Sequence, residues 1–226
     1  MPTPEWNYFM ENYFGDPYMM WHDGIDEKSV MPLKGEERAN AEDMLINSLE
    51  EGSHYGAIGL REMRSAKAVP ILEKRLERSI GTLAVEIAVA LCMIKRTTKY
   101  IPYILAALKL SAFWSDRTRA ARALRRFPTI EVVDALFESV MKDPDYLVRN
   151  HASETILFLH GLQPSISMHK EIFEHMIVEF DKDGEASTKN AFTHYKICAD
   201  LLRELIEKKG TMRKDPIIED IWTWKL

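Results

Sequence analysis

The sequence has little cysteine, no long apolar run and no close cluster of metal ligands. Its two cysteines, Cys92 and Cys198, lie far apart within apolar segments. This usage favours two buried, reduced thiols over a secreted fold held by disulfides. The apolar stretches, such as residues 101–108, are much shorter than the roughly 20 residues that a transmembrane helix needs. We therefore expect a protein that does not span a membrane.

Signals for secretion and for catalysis are equally scarce. The chain lacks a basic start followed by an apolar block, so a secretory signal is not indicated and a cytoplasmic location is the default prediction. No Gly-x-Ser-x-Gly elbow or phosphate-binding loop occurs, and the histidines are dispersed. Residues 181–184 resemble the start of a calcium loop, but Phe192 stands where an EF-hand needs Glu. We predict no catalytic residue, no metal site and no cofactor.

Charge is distributed unevenly along the 226 residues. Residues 1–52 carry 3 basic and 12 acidic side chains, and residues 53–126 carry 15 basic and 5 acidic ones. Residues 127–226 are acidic again, with 12 basic and 18 acidic side chains. A basic middle between acidic ends indicates that the middle segment carries a surface for a partner.

Four segments of the sequence resemble one another at nearly constant spacing. They begin 31, 33 and 32 residues apart and each ends in Leu or Ile; the segments are 52–60, 83–91, 116–124 and 148–156. Three of them have a small residue at the fourth position after the start, namely Gly56, Ala120 and Ala152. A second apolar segment lies between successive copies, and Pro70 and Pro102 fit a first helical turn there. A helix pair repeated at this period predicts stacked hairpins that share one core.

The segment from Asp145 to Ile156, which reads Asp-Tyr-Leu-Val-Arg-Asn-His-Ala-Ser-Glu-Thr-Ile, resembles the HEAT-repeat signature. The resemblance covers roughly residues 36–162, although the first two copies lack the signature arginine. It implies a right-handed α-α superhelix, a solenoid of about five HEAT-like hairpins. In HEAT-like families the signature arginine bonds within its own turn, which implies structural roles for Arg117 and Arg149.

These patterns together predict one structural domain with three parts. They are an aromatic-rich N-terminal cap over 1–35, HEAT-like repeats over 36–162, and a degenerate terminal helix pair with a C-terminal cap over 163–226. Helices are predicted near residues 36–51, 53–64, 68–79, 82–96, 99–110, 115–126, 129–142, 146–160, 166–180 and 187–209. Ser115 and Asp145 are the predicted N-caps. The tail over 215–226 is predicted to form a short helix whose Trp222 and Trp224 pack on the last repeat.

The predicted binding surface centres on a ridge of arginines. Arg119, Arg122 and Arg126 share one face of a helix over 115–126. Transferring their positions to the neighbouring repeats predicts a concave groove of mixed apolar and charged character. The predicted partner-binding residues are Glu86, Met93, Arg119, Arg122, Arg126, His151, Glu154 and Phe158. Glutamates interrupt the basic track, so the groove favours a protein partner with an acidic patch over a nucleic acid.

The sequence therefore predicts a non-catalytic scaffold that binds a protein, as an adaptor or as the antidote of a toxin. Nucleic-acid binding is the alternative, because the middle of the chain is basic and Trp114 lies near Asp116, an arrangement similar to HEAT-like DNA glycosylases. A second alternative is an enzyme subunit that resembles the HEAT-like bilin lyases.

Overall fold

The computed structural model describes residues 1–178 and 185–221, and this part of the chain is all-α. Helices make up 71% of the structure, and the described residues form twelve α-helices, three short 3-10 helices and no strand. The prediction of an all-α fold is therefore confirmed. The chain divides into two compact units, Met1–Ile101 and Pro102–Leu226, and the division falls within the predicted repeat region.

The first unit begins with two short helices and continues with two helical hairpins. Its elements are α1 (Pro4–Phe14), α2 (Pro17–His22), the 3-10 helix Glu27–Val30, α3 (Gly35–Glu50), α4 (His54–Glu62), α5 (Val69–Leu76) and α6 (Gly81–Lys95). The helices predicted over 36–51, 53–64, 68–79 and 82–96 correspond to α3 to α6. Their ends differ from the prediction by three residues or fewer, so these predictions are confirmed.

The aromatic-rich N-terminal segment packs into the core of the first unit. The Thr3 hydroxyl caps α1 by accepting a hydrogen bond from the Trp6 amide. Phe9 is fully buried, and the Tyr13 hydroxyl donates to the Glu27 carbonyl at 2.7 Å. Both α1 and the 3-10 helix contact α4. Burial of these rings stabilises the segment against the repeat helices, because it removes large apolar surfaces from water.

The hairpins of the first unit stack through their second helices. α3 packs on α4, α5 packs on α6, and α4 packs on α6. A Cβ atom at Gly56 would lie 2.7 Å from the Leu45 carbonyl oxygen and 2.8 Å from the Leu49 backbone nitrogen. The small residue of the repeat thus allows α3 and α4 to approach each other closely.

A buried arginine joins three parts of the first unit. The Arg61 side chain of α4 is 3% exposed and pairs with Glu62 at 2.8 Å, with Glu86 of α6 at 2.9 Å, and with Glu27 of the 3-10 helix. Burial by itself lowers the pKa of Arg61, but the three carboxylates raise it overall. The guanidinium therefore stays charged and ties α4 to α6 and to the N-terminal segment.

The described part of the second unit contains six α-helices. Its elements are α7 (Ile101–Leu110), which begins at the boundary, α8 (Trp114–Ala123), the 3-10 helix Leu124–Arg126, α9 (Ile130–Lys142), α10 (Tyr146–Leu159), the 3-10 helix Ile166–Met168, α11 (Lys170–Met176) and α12 (Glu185–Lys209). Among these helices, α9 pairs with α10 and α11 pairs with α12, while α8 also packs on α10 and α12 also packs on α9. The helices predicted over 99–110, 129–142, 146–160 and 187–209 are confirmed. The predicted helix over 166–180 is shorter, since it consists of a 3-10 turn followed by α11.

Two turns of the second unit are held by equivalent hydrogen bonds from arginine side chains. Arg117 donates to the carbonyls of Ser111 and Ala112, which precede it by six and five residues. Arg149 donates to the carbonyls of Asp143 and Pro144 at the same two separations. The structural roles predicted for Arg117 and Arg149 are therefore confirmed.

One predicted helix start is confirmed and one is wrong. Asp145 caps α10 by accepting a hydrogen bond from the Leu147 amide at 2.8 Å. Ser115 lies inside the first turn of α8, whose N-cap is Phe113. The helix starts earlier because the Ser111 hydroxyl accepts from the Phe113 amide and stabilises the turn before it.

The C-terminal segment returns to the middle of the second unit. The Ile218 amide donates to the Arg126 carbonyl at 2.8 Å, and Ile218 and Ile221 are buried. Residues 215–221 are not helical, so the helix predicted to begin at 215 is wrong over this part. Trp222 and Trp224, and the calcium-like sequence over 181–184, lie outside the described residues.

Candidate functional site

Exposed apolar side chains cluster where the chain passes from α7 to α8. Leu110 is 81% exposed, Phe113 71% and Trp114 49%. We call these three residues the α7–α8 corner. Tyr103 lies seven residues before Leu110, on the same side of α7, and is also exposed. Exposed apolar residues that group in this way mark an interaction surface more often than isolated ones do.

Hydrogen bonds to Ser111 and Ala112 fix the backbone of the corner. The Ser111 hydroxyl donates to the Asp116 carboxylate at 2.8 Å and accepts from the Phe113 amide at 3.3 Å. Arg117 donates to the Ser111 carbonyl at 2.9 Å and to the Ala112 carbonyl at 3.3 Å. The large side chains of the corner therefore project from a short, well-bonded turn, which lowers the entropy that they lose on binding.

A largely buried ion pair holds this turn against the next hairpin. Arg117 donates from Nε and Nη2 to the two carboxylate oxygens of Asp143, at 2.7 and 2.9 Å. The side chains of Arg117 and Asp143 are only 12% and 6% exposed. The bidentate hydrogen bond to Asp143 raises the pKa of Arg117. Arg117 thus connects the α7–α8 corner to the loop between α9 and α10.

A recess of about 370 Å³ lies beside the corner. It is bounded by the ends of α7 and α9, by the start of α8 and by the loop that follows α9. Its lining residues are Leu108, Lys109, Ser111, Arg117, Glu138, Ser139, Lys142, Asp143 and Pro144. Three of these are basic and two are acidic, so the recess carries a net positive charge.

Two lysines share one carboxylate at this recess. Lys109 of α7 lies 3.1 Å from Glu138, and Lys142 lies 3.0 Å from the same side chain. Hydrogen bonds from Lys142 and Lys109 lower the pKa of Glu138. The lysine side chains are 48% and 68% exposed. The geometry therefore leaves ammonium donors that face solvent next to the apolar corner.

Four of the eight residues predicted to bind a partner are buried instead. Glu86 and Met93 are each 4% exposed within the first unit, where Glu86 pairs with Arg61. In the second unit Arg126 is 4% exposed and Phe158 is 1% exposed. The prediction that all eight side chains line an open groove is therefore wrong for Glu86, Met93, Arg126 and Phe158.

Arg126 and Phe158 of the second unit are buried for different physical reasons. Arg126 belongs to a 3-10 helix, which changes its direction relative to α8, and it donates to the carbonyls of Ile218 and Glu219. Phe158 is covered by Arg213, whose guanidinium lies 4.4 Å from the ring centroid. The C-terminal segment thus occupies the surface that the repeat pattern predicted to be open.

The remaining four predicted residues are partly exposed in the second unit. Arg119 and Arg122 lie on α8. His151 and Glu154 lie on α10, with His151 Nδ1 3.3 Å from Glu154, and Glu154 also accepts from Arg125 at 3.1 Å. Glu154 therefore serves two basic partners within the unit, and α8 and α10 pack side by side here.

Sequence reasoning missed the corner, apart from Trp114. Phe113 was available as a signal, because a large apolar residue in the loop between the helices predicted over 99–110 and 115–126 has no core to enter. Lys109 and Lys142 gave no signal, since their relation to Glu138 depends on how α7 packs beside α9.

A second group of exposed rings lies in the first unit, on α2. Tyr18, Met19 and Trp21 are 62%, 51% and 75% exposed. His22 beside them forms a solvated pair with Asp23 at 2.7 Å. α2 itself contains no lysine or arginine, whereas three basic side chains line the recess beside the corner, so the corner of the second unit is the stronger candidate site.

Two histidines of the second unit lie side by side. His175 of α11 and His194 of α12 approach to 2.7 Å between their Nδ1 atoms. Within residues 1–178 and 185–221, no group of three or more His, Cys, Asp or Glu side chains is arranged to hold a metal ion. None of the helices in the described part of the chain is long and apolar enough to span a membrane.

The fold thus defines an all-α protein with an exposed apolar corner beside a basic recess. Comparison with protein-family models, with curated proteins and with solved structures finds no match for this chain.

Proposed function

We propose that the chain is a non-catalytic, HEAT-like helical-repeat protein that binds a protein partner with an acidic patch, as an adaptor or as the antidote of a toxin. The observation that carries this proposal is the α7–α8 corner, where Leu110, Phe113 and Trp114 stand exposed beside lysines. Aromatic residues and arginine are the side-chain types that dominate protein interfaces, with charged groups at the rim.

Two further observations support the proposal. Equivalent hydrogen bonds of Arg117 and Arg149 to their own turns match the HEAT-like resemblance and favour a solenoid of stacked hairpins. The packing of α4 on α6 in the first unit also favours stacked hairpins, because equivalent helices of successive repeats pack on each other in a solenoid. Solenoids of this kind use extended surfaces to bind macromolecules.

The binding surface of this proposal differs from the predicted arginine ridge. Arg125 and Arg126 are 9% and 4% exposed, and both donate hydrogen bonds within the second unit. A nucleic-acid track requires basic side chains that reach phosphates along an open face. Their burial withdraws two basic side chains of the middle segment, whose charge motivated the nucleic-acid alternative, so we favour a protein partner.

Site-specific photo-crosslinking in cells of the source organism tests the proposal. A benzophenone amino acid replaces Phe113 in one variant and Ile130, which is 76% exposed in the same unit, in a control variant. We expect a crosslinked protein from position 113 only, and we expect Trp114→Ala to abolish it. Absence of any crosslink at 113, or equal crosslinks at 113 and 130, would contradict a partner at the corner. Retention of the purified protein on DNA at low salt would favour the nucleic-acid alternative.

A further inference from the structure

We infer that the recess beside the α7–α8 corner binds a short extended segment of the partner, in which an Asp or Glu side chain lies next to a large apolar residue. This inference rests on the proposed protein-binding function and specifies its partner. The carboxylate would accept hydrogen bonds from the solvent-facing ammonium groups of Lys109 and Lys142, beside Glu138, and the apolar side chain would pack on the corner.

The charge balance of the recess selects a carboxylate. Lys109 and Lys142 each contact Glu138, at 3.1 and 3.0 Å, so two ammonium groups share one carboxylate. An ammonium has three donors, and each lysine is bonded to Glu138 through one of them. Arg117 and Asp143 neutralise each other through two hydrogen bonds and leave no net charge. Among the lining residues, basic side chains therefore exceed acidic ones by one, and the two lysine side chains are 48% and 68% exposed.

The size of the recess selects a side chain on a short segment. A volume of about 370 Å³ lies at the low end of the range for ligand pockets, which runs from roughly 300 to 1,000 Å³. A folded domain would contact only the rim of such a recess, whereas one or two side chains can enter it. Residues of α7, α8 and α9 line the recess, and Lys109 precedes Leu110 of the corner in the chain, so an extended segment that contacts Lys109 can continue onto the corner.

The corner makes a purely electrostatic ligand unsuitable. Phe113 and Trp114 expose large apolar surfaces, which gain free energy only when an apolar group covers them. Glu138 and Asp143 also line the recess, and their repulsion grows with the negative charge of the ligand, so a single carboxylate suits the recess better than a polyanion such as a nucleic-acid backbone. An acidic residue next to an apolar one can contact the lysines of the recess and cover the apolar α7–α8 corner at the same time.

Peptide display provides a test that does not require the natural partner. A library of random 12-residue peptides is selected on the immobilised, purified chain, and the dissociation constants of the enriched peptides are measured by fluorescence anisotropy. We expect enrichment of Asp or Glu next to Phe, Leu or Trp. We expect the double variant K109E/K142E to bind these peptides at least about ten-fold more weakly, because it reverses both charges.

Matched variants separate the charge effect from the apolar one. K170E/K196E makes the same change of charge at two exposed lysines elsewhere in the second unit, and we expect its binding to stay within about two-fold of the parent. We expect Trp114→Ala to weaken binding about ten-fold or more, as is typical of an aromatic anchor. Far-UV circular dichroism of each variant confirms that the fold is retained.

Three results would overturn the inference. They are enrichment of peptides without acidic residues, equal binding by K109E/K142E and K170E/K196E, and displacement of the peptides by a single-stranded DNA 12-mer at low salt. Enrichment of non-acidic peptides that depend on Trp114 would overturn the acidic segment only and leave the proposed function standing. A missing crosslink at position 113 would instead count against the proposed function itself.

Discussion

Arg117 should control both the stability of the second unit and the order of the α7–α8 corner. Replacement by Gln removes two hydrogen bonds to Asp143, at 2.7 and 2.9 Å, and two to the backbone carbonyls of Ser111 and Ala112. The Asp143 side chain is 6% exposed, so its carboxylate loses its ionic partner without gaining water. Removal of one member of a buried ion pair costs about 3–5 kcal/mol.

We expect the lower end of this range, about 3 kcal/mol, for two reasons. Asp143 keeps a hydrogen bond from the Asp145 amide at 2.9 Å. The Arg117 side chain is also 12% exposed, so part of the pair is already hydrated. Urea unfolding followed by circular dichroism measures the loss, and hydrogen exchange of residues 112–114 reports whether the corner becomes less protected.

A double-mutant cycle identifies the ion pair as the cause. Asp143→Asn in the Arg117→Gln background removes the uncompensated charge, so the double variant should lose less stability than the two single losses added together. Lys208→Gln is a suitable control, because Lys208 and Glu204 form an exposed pair worth at most about 0.5 kcal/mol. A loss below about 1 kcal/mol for Arg117→Gln, or strict additivity in the cycle, would refute this reasoning.

Three further predictions follow from buried groups. Arg61→Met should cost about 3–5 kcal/mol in urea unfolding, and Glu86→Gln should restore part of it; no restoration would argue against charge as the cause. Gly56→Ala should destabilise the chain by about 1–3 kcal/mol, despite the better helix propensity of Ala, because the new methyl group meets α3; an unchanged melting temperature would show that the helices can separate. Burial raises the pKa of Cys92 to about 11 and that of Cys198 to about 12. At pH 8 both thiols should therefore resist a disulfide reagent until urea unfolds the chain, and rapid labelling of the native protein would contradict their burial.

The sequence predicted most helix positions and the roles of the turn arginines correctly, but it did not predict every helix cap. Helix positions were predictable because apolar periodicity, prolines in first turns and the Asp145 cap act within a few residues of one another. The turn arginines were predictable for the same reason, since Arg117 and Arg149 bond to carbonyls five and six residues away. Ser115 failed as a cap because Ser111, four residues earlier, stabilises the turn first.

The predicted binding groove failed where distant segments meet. A surface transferred by repeat position assumes that nothing else covers it, but the Ile218 carbonyl accepts from Arg126 across 92 residues. Glu86 likewise entered the core because Arg61, 25 residues earlier, supplies a buried partner for its charge. Neither of these two contacts produces a periodic pattern in the sequence, because each joins a single pair of residues that are distant in the chain.

The sequence by itself determined the helical class of this protein, the position of most of its helices and the bonding of its turns, because local periodicity and short-range hydrogen bonds decide these features. Tertiary structure alone decided which charges remain exposed. Arg119, Arg122 and Arg126 were predicted to form a binding ridge, yet packing buried Arg126 and left Lys109 and Lys142 exposed beside an apolar corner. The free energy of burying a charge depends on the partner that packing brings to it, and that partner lies far away in the chain.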